Sequence, residues 1–328
     1  MTPHSNWLAN SLLGKAGRIT WALIPAILAC LSGSLAAQNN PPAPAASAGA
    51  FKQDFLWSSA TTNRLRLAGF LDYSYVAAGD VKYYGTKGHS EAETFHLAVT
   101  GEIPLTDRWY VPLGIGSENI WMNSVVGAPV PDQINTLRFN AGLGLRLNEQ
   151  WTFAASLGPV LYALQDIESN DLGIVAMVNA AYRVRPNLLL SFGAAVNPDT
   201  DVVVFPAIGA RWDIRTNLTL NLMFPKPGII YRAAPRLSLF AGGGLNGATF
   251  RTDNQMASRT GLPQFNRALA TYWDFHLGVG VEYQLIRRVF ANLEGGYSLG
   301  RQIHYTRVHE TVKFDPSPYV QAGLRFRF

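Results

Sequence analysis

Between residues 136 and 148 the chain keeps a strict two-residue alternation. Leu137, Phe139, Ala141, Leu143, Leu145 and Leu147 interleave with Thr136, Arg138, Asn140, Gly142, Gly144 and Arg146. A helix turns about 100° per residue and would scatter these apolar side chains around its circumference. An extended strand sends all of them to one face. The last stretch repeats the pattern: Val320, Ala322, Leu324, Phe326 and Phe328 on one face, Tyr319, Gln321, Gly323, Arg325 and Arg327 on the other. A chain written this way folds as strands with one apolar and one polar side.

The same period recurs through most of the sequence. It predicts strands over 64–76, 92–104, 108–116, 136–148, 151–162, 172–184, 188–197, 202–214, 218–224, 229–232, 236–250, 269–285, 289–305 and 312–328. The expected fold is all-β: a transmembrane, antiparallel, up-and-down β-barrel of fourteen strands, or twelve if the hairpin around Pro225-Lys226-Pro227-Gly228 stays outside the wall. Connections alternate between short turns, such as Asn148-Glu149-Gln150 and Arg215-Thr216-Asn217, and longer loops. That asymmetry is the one expected of periplasmic turns and outer loops, with both termini in the periplasm. Mean hydropathy of +0.05, with 48% hydrophobic and 15% charged residues, fits two opposite faces that cancel.

Aromatic positions test the idea independently. Trp109, Trp151, Tyr182, Trp212, Tyr283 and Phe328 fall near short-turn strand ends, all on the apolar face. Tyr73, Tyr75, Phe95, Tyr297 and Tyr305 fall near the other ends. Two rings of amphipathic side chains suit the two interfaces of a bilayer. Hydrocarbon offers backbone amides no partner, so only a sheet that closes on itself spans it.

The first residues read as an export signal, 1–37. Lys15 and Arg18 precede an apolar run too short to span a membrane, followed by Ser34-Leu35-Ala36-Ala37. Its removal takes away the single cysteine, Cys30, and with it any disulfide or thiolate metal site. It also removes Lys15 and Arg18 and no acidic residue, so the formal charge of +5 shrinks and gives no reason to expect a nucleic-acid partner. Residues 38–63 have the Pro- and Ala-rich composition of a periplasmic linker, with 51–57 as a candidate plug or lid. The barrel is expected over 64–328.

Two groups of polar residues face inward by parity. Near mid-height stand Asp72, His96, Arg138, Asn140, Asp274, His276 and Glu294, either a solute site or simply wetted lumenal residues. Toward the short-turn end stand Arg64, Arg66, Glu102, Arg146, Arg183, Arg211, Asp213, Glu282, Arg325 and Arg327. They make either a positive constriction or an arginine–carboxylate network that braces the wall. Fourteen tilted strands enclose a backbone cylinder about 28 Å across. Many inward glycines favour an open lumen, unless a loop fills it. No spacing indicates a catalytic set, a metal site or a cofactor, so no enzyme activity is expected.

The closing segment 319–328 resembles the last strand of bacterial outer-membrane barrels, which implies recognition by the barrel insertion machinery. Phe205-Pro206-Ala207-Ile208-Gly209-Ala210-Arg211-Trp212, Leu222-Met223-Phe224-Pro225-Lys226-Pro227-Gly228, Tyr231-Arg232 and Ala241-Gly242-Gly243-Gly244 resemble a family of outer-membrane barrels known only as a domain of unknown function. That resemblance implies a barrel in outer-membrane lipid and supplies no substrate. The Pro-Lys-Pro element is expected to shape an outer hairpin near the pore mouth. The expected function is a passive or weakly selective channel for small solutes. The alternatives are a non-conducting barrel whose outer loops bind a partner and, more distantly, a lipid-modifying enzyme.

Overall fold

The computed structural model describes residues 65–164, 167–200 and 202–328. The expected export signal, the 38–63 linker or plug, Cys30 and Arg64 lie outside them.

The strands are β1 (Arg66–Lys82), β2 (His89–Pro104), β3 (Trp109–Met122), β4 (Gln133–Arg146), β5 (Trp151–Leu161), β6 (Leu172–Arg185), β7 (Leu188–Val196) and β8 (Val204–Arg215). They continue as β9 (Leu218–Asn221), β10 (Gly228–Ala234), β11 (Leu237–Arg251), β12 (Leu269–Ile286), β13 (Val289–Tyr305), β14 (Glu310–Phe314) and β15 (Ser317–Arg327). A five-residue helix, α1 (Met256–Thr260), lies in the loop between β11 and β12. From β1 to β14 each strand pairs antiparallel with the next, β15 pairs with β13, and β1 pairs with both β14 and β15. β14 and β15 lie end to end between β13 and β1, interrupted at Asp315-Pro316, where proline has no N–H to give the ladder. The wall is therefore a closed antiparallel barrel of fourteen strands. The β9–β10 hairpin belongs to it, between β8 and β11.

Turns at one end are two to four residues, as between β6 and β7 or β12 and β13. Longer loops mark the other end. Side chains explain two of the tight turns. Asn148 Oδ1 accepts from the Gln150 and Trp151 amides at 2.9 and 2.8 Å, and Thr106 Oγ1 from the Trp109 amide at 3.0 Å.

The outside is apolar. Leu143, Leu157, Ile174, Leu293 and Val320 are exposed, and Ile208 and Val279 are 71% and 64% exposed. Leaving so much aliphatic surface in water would be costly at about 25 cal/mol per Å². A bilayer covers it instead. Trp109, Trp212 and Tyr283 are exposed on this face near the short-turn end. Trp151 stacks on Tyr182 at 4.5 Å beside them. Phe328, just after β15, is half-buried.

Of the two readings of the inward glycines, an open lumen or a filled one, the interior favours a largely filled one. Inward glycines are covered by neighbouring side chains: a Cβ on Gly144 would collide with the Tyr110 ring, and one on Gly278 with Tyr319. At the long-loop end, Val76, Ile120, Ile134, Phe250, Tyr272, Ile303, Val312 and Phe314 form a dry core with Met256 of α1 and Phe265.

A bulge helps build that core. β12 pairs Phe275 with Gly300 but His276 with Ser298, so Leu299 is an extra residue in β13. Beyond it the alternation reverses, and Arg301, Ile303 and Tyr305 turn inward. Tyr305, expected on the outer aromatic ring, is instead fully buried. Its hydroxyl donates to the Pro129 carbonyl at 2.5 Å.

The long-loop ends of β11–β14 also fold across the barrel. Leu269, on the apolar-out parity of β12, packs against Val160, Tyr162 and Val175 of the opposite wall. The Arg251 amide donates to the Tyr162 carbonyl at 2.8 Å. This half of the lumen is thus divided by a curtain of four strands. One face of the curtain carries the dry core. The other looks toward β4–β8.

Candidate lumenal site

The hairpin carrying Pro-Lys-Pro builds the middle of the site, and it corrects the expectation of an outer hairpin at the pore mouth. Ladder pairing between β9 and β10 ends at Asn221 and Gly228, because the two prolines cannot donate. The intervening residues 222–227 form a strap directed into the barrel. The Asn221 side-chain amide donates to the Lys226 carbonyl at 2.8 Å. The Gly243 and Leu245 amides donate to the Pro227 and Pro225 carbonyls at 2.9 and 3.0 Å. The strap thereby takes the place of β10 along β11 and delivers Lys226 and Phe224 to the lumen.

Lys226 Nζ lies 3.5 Å from Glu294 Oε2 of β13. Glu294 is the hub of the buried polar group. It accepts from the Tyr319 hydroxyl at 2.5 Å, and His276 Nε2 stands 4.0 Å away. His276 is 1% exposed and edge-on to the Tyr319 ring at 5.0 Å, with Asp274 Oδ2 3.9 Å from its Nδ1. Asp274 in turn accepts from Ser298 Oγ at 2.5 Å. Among the described residues, no group of His, Cys, Asp and Glu has the arrangement to hold a metal ion.

Of the seven mid-height residues named from parity, Asp274, His276 and Glu294 come together. Asp72, His96 and Arg138 line a cavity of about 220 Å³ together with Phe224, Pro225 and Lys226; Asp72 on β1 is separated from Glu294 on β13 only by β15. Asp72 and His96 are direct cross-strand partners, and His96 meets Phe70 edge-on at 4.7 Å. Arg138 reaches Glu118 at 3.5 Å. Asn140 lies over Gly114, away from that cavity.

A second cavity, of about 460 Å³, continues toward the long-loop end. Arg138, Phe205, Gly247 and Trp273 line both spaces. Phe205 stacks near Trp273 at 6.2 Å and leans on Phe224 at 5.2 Å. The pair comes from opposite sides of the divide: Phe205 from the inner face of β8, Trp273 from the side of the curtain whose parity points out of the barrel.

Below the strap, most of the charges stand in pairs. Glu102 sits between Arg146 at 2.8 Å and Arg66 at 3.8 Å, and the Arg146 guanidinium lies 4.4 Å over the Tyr110 ring. Arg325 and Glu282 form a buried ion pair, with the Phe290 ring 5.9 Å from Arg325 and 6.0 Å from Arg327. Asp213 lies 3.8 Å from Arg211 and accepts from Thr219 at 2.6 Å. Arg183 is half-buried on β6.

Lys226, Phe224, Phe205, Tyr319 and Trp273 belong to the site but were not among the residues expected in it. A lysine bracketed by prolines in an otherwise apolar hairpin was the available signal for the strap. Phe205 and Tyr319 stand on inward parity and could have been flagged as rings facing the lumen. Trp273 left no signal, because its parity points out of the barrel.

No curated protein matches the sequence. Among solved structures, the chain is similar to an outer membrane channel from Pseudomonas putida F1, at 13% identity over 80% of this chain and 95% of that one, TM-score 0.43. It is similar to the Pseudomonas putida toluene transporter TodX at 11% identity, 82% and 91% coverage and TM-score 0.37. A Pseudomonas aeruginosa FadL homologue gives 10% identity, 80% and 89% coverage and TM-score 0.39. Residues 107–327 match the model of the Domain of unknown function DUF6268, two thirds of the sequence and twelve of the fourteen wall strands, and the chain belongs to that family.

Proposed function

We propose that the protein is an outer-membrane barrel that passes small solutes through a narrow, strap-restricted lumen. The observation that carries this reading is the pair of adjoining cavities that share Arg138, Phe205, Gly247 and Trp273 inside a closed wall. A barrel stabilised by packing alone has no need of contiguous internal space lined by cationic and aromatic side chains. The apolar exterior, the aromatic residues near the short-turn end and the export-signal pattern support placement in the outer membrane. The 319–328 segment is our candidate for the stretch read by the insertion machinery.

Reconstitution in planar bilayers tests the channel. We expect small conductance steps that grow when residues 224–227 are replaced by a short Gly-Ser link. Folded, inserted protein that shows no conductance with or without the strap removes the reading.

The dry core under the long loops favours a second reading, a barrel that conducts nothing and presents those loops to a partner. The loops are braced for display: Arg259 of α1 pairs with Asp132 at 3.2 Å and Asp253 at 2.7 Å, and the Gly127 amide donates to the Thr260 carbonyl at 3.1 Å.

A further inference from the structure

We infer that the larger cavity is a binding site for a small neutral polyhydroxylated solute, a monosaccharide or a short sugar alcohol. The proposal rests on the channel reading only for how the solute arrives; the site itself stands on its lining.

The cavity lies between the outward-parity face of the curtain and the inner face of β4–β8. Neutral hydrogen-bonding groups dominate its polar lining. On the curtain, Thr249 and Thr271 place their hydroxyls 3.4 Å apart, and His304 Nδ1 lies 2.8 Å from the Thr311 hydroxyl. Gln302 stands beside them, and its carboxamide has no hydrogen-bond partner among the described residues. Facing them, the Tyr162 hydroxyl lies 3.0 Å from both Asn197 Oδ1 and Asp199 Oδ2, to which it can donate. Side chains of this kind both donate and accept, which is what an alcohol group requires.

Full charge is scarce there. Arg138 is the one arginine in the lining, and Glu118 holds it at 3.5 Å. An ion entering this space would lose hydration and find Arg138, already held by Glu118, as the one formal charge in the lining, so its entry costs more than that of a neutral solute. A sugar meets partners for its hydroxyls instead.

The floor supplies the other half of the match. A pyranose has a face of C–H groups, and the Trp273 and Phe205 rings, which both line the cavity and stack at 6.2 Å, offer it apolar aromatic surface. The volume of about 460 Å³ falls in the range of small-molecule pockets and suits one or two sugar rings.

The position of Trp273 is otherwise hard to account for. On a regular wall its parity would send it into lipid. Folding of the curtain brings it into an enclosed polar space, where an indole is useful as a surface to stack on.

The test is saturation-transfer NMR on the detergent-solubilised full chain, with methyl α-glucoside, xylitol and, as controls, gluconate and benzyl alcohol. We expect transfer to the ring C–H protons of the glucoside, weak transfer to gluconate, and at least a fivefold loss in Trp273→Ala. Gln302→Ala and Thr271→Val leave the stacking floor in place and should each lower the signal two- to fivefold. If Trp273→Ala does not fold, Trp273→Leu with the Gln302 variant carries the same comparison. The proposal is overturned if the glucoside gives no transfer, if benzyl alcohol alone is bound, or if the Gln302 and Thr271 variants bind as the parent does. Binding in a protein that leaves liposomes impermeable to sugars sinks the channel and keeps the site.

Discussion

Replacing Glu294 by Gln should loosen the strap. The substitution keeps the shape and retains an acceptor for the Tyr319 hydroxyl, so the change falls on Lys226. Its ammonium then stands 3.5 Å from a neutral amide, with the two original side chains only 17% and 6% exposed. A hydrogen bond to a charged group contributes about 1.5–3 kcal/mol, and the long separation argues for the lower end, about 1.5–2 kcal/mol. At 1.4 kcal/mol per factor of ten, the balance between docked and undocked Lys226 shifts about ten- to thirtyfold. Single-channel recording in planar bilayers reads this as a rise in open probability of that order while the docked form still dominates. Lys226→Met should open less, because Glu294 keeps its Tyr319 donor. The double variant should lie closer to the parent than Glu294→Gln does, since no unpaired charge is left. Equal open probability in all four proteins, or effects that simply multiply, would refute the latch, because a coupled pair must show an interaction of at least about 0.5 kcal/mol.

Three further outcomes follow from the wall and the core. Val279→Arg, on the lipid-facing band of β12, should destabilise by about 2–4 kcal/mol in urea titrations of vesicle-reconstituted protein; a neutral effect there would count against the bilayer placement. Phe250→Ala empties a fully buried position in the dry core and should cost about 3–5 kcal/mol in the same titration, with conductance retained. Gly144→Leu drives a side chain into the Tyr110 ring and should cost about 1–3 kcal/mol, relieved when Tyr110 is also replaced by Ala.

The alternation in 136–148 decided the strand, its face and the antiparallel ladder, because side-chain direction in an extended chain is a local property of period two. Short polar turns such as Asn148-Glu149-Gln150 and Arg215-Thr216-Asn217 decided where the chain reverses. Repeated fourteen times, those local rules were enough for the closed wall and its apolar exterior. Parity also assembled part of the site, since Asp274, His276 and Glu294 do face inward and meet.

Other features needed the tertiary structure. Leu299 is one more apolar residue in a run that reads as regular, yet its bulge reverses the inward face of the rest of β13 and takes Tyr305 from the rim to the core. The two prolines announce that the ladder stops near Pro225. Nothing local says whether the freed residues turn out to solvent or in toward Glu294, which is distant in sequence. The curtain depends on contacts such as Leu269 with Val160 and Val175, on strands far apart in order. Period two tells each residue which side of its own strand it occupies. What lies on that side is set by how far the sheet bends and what it bends against, and that is a property of the closed assembly.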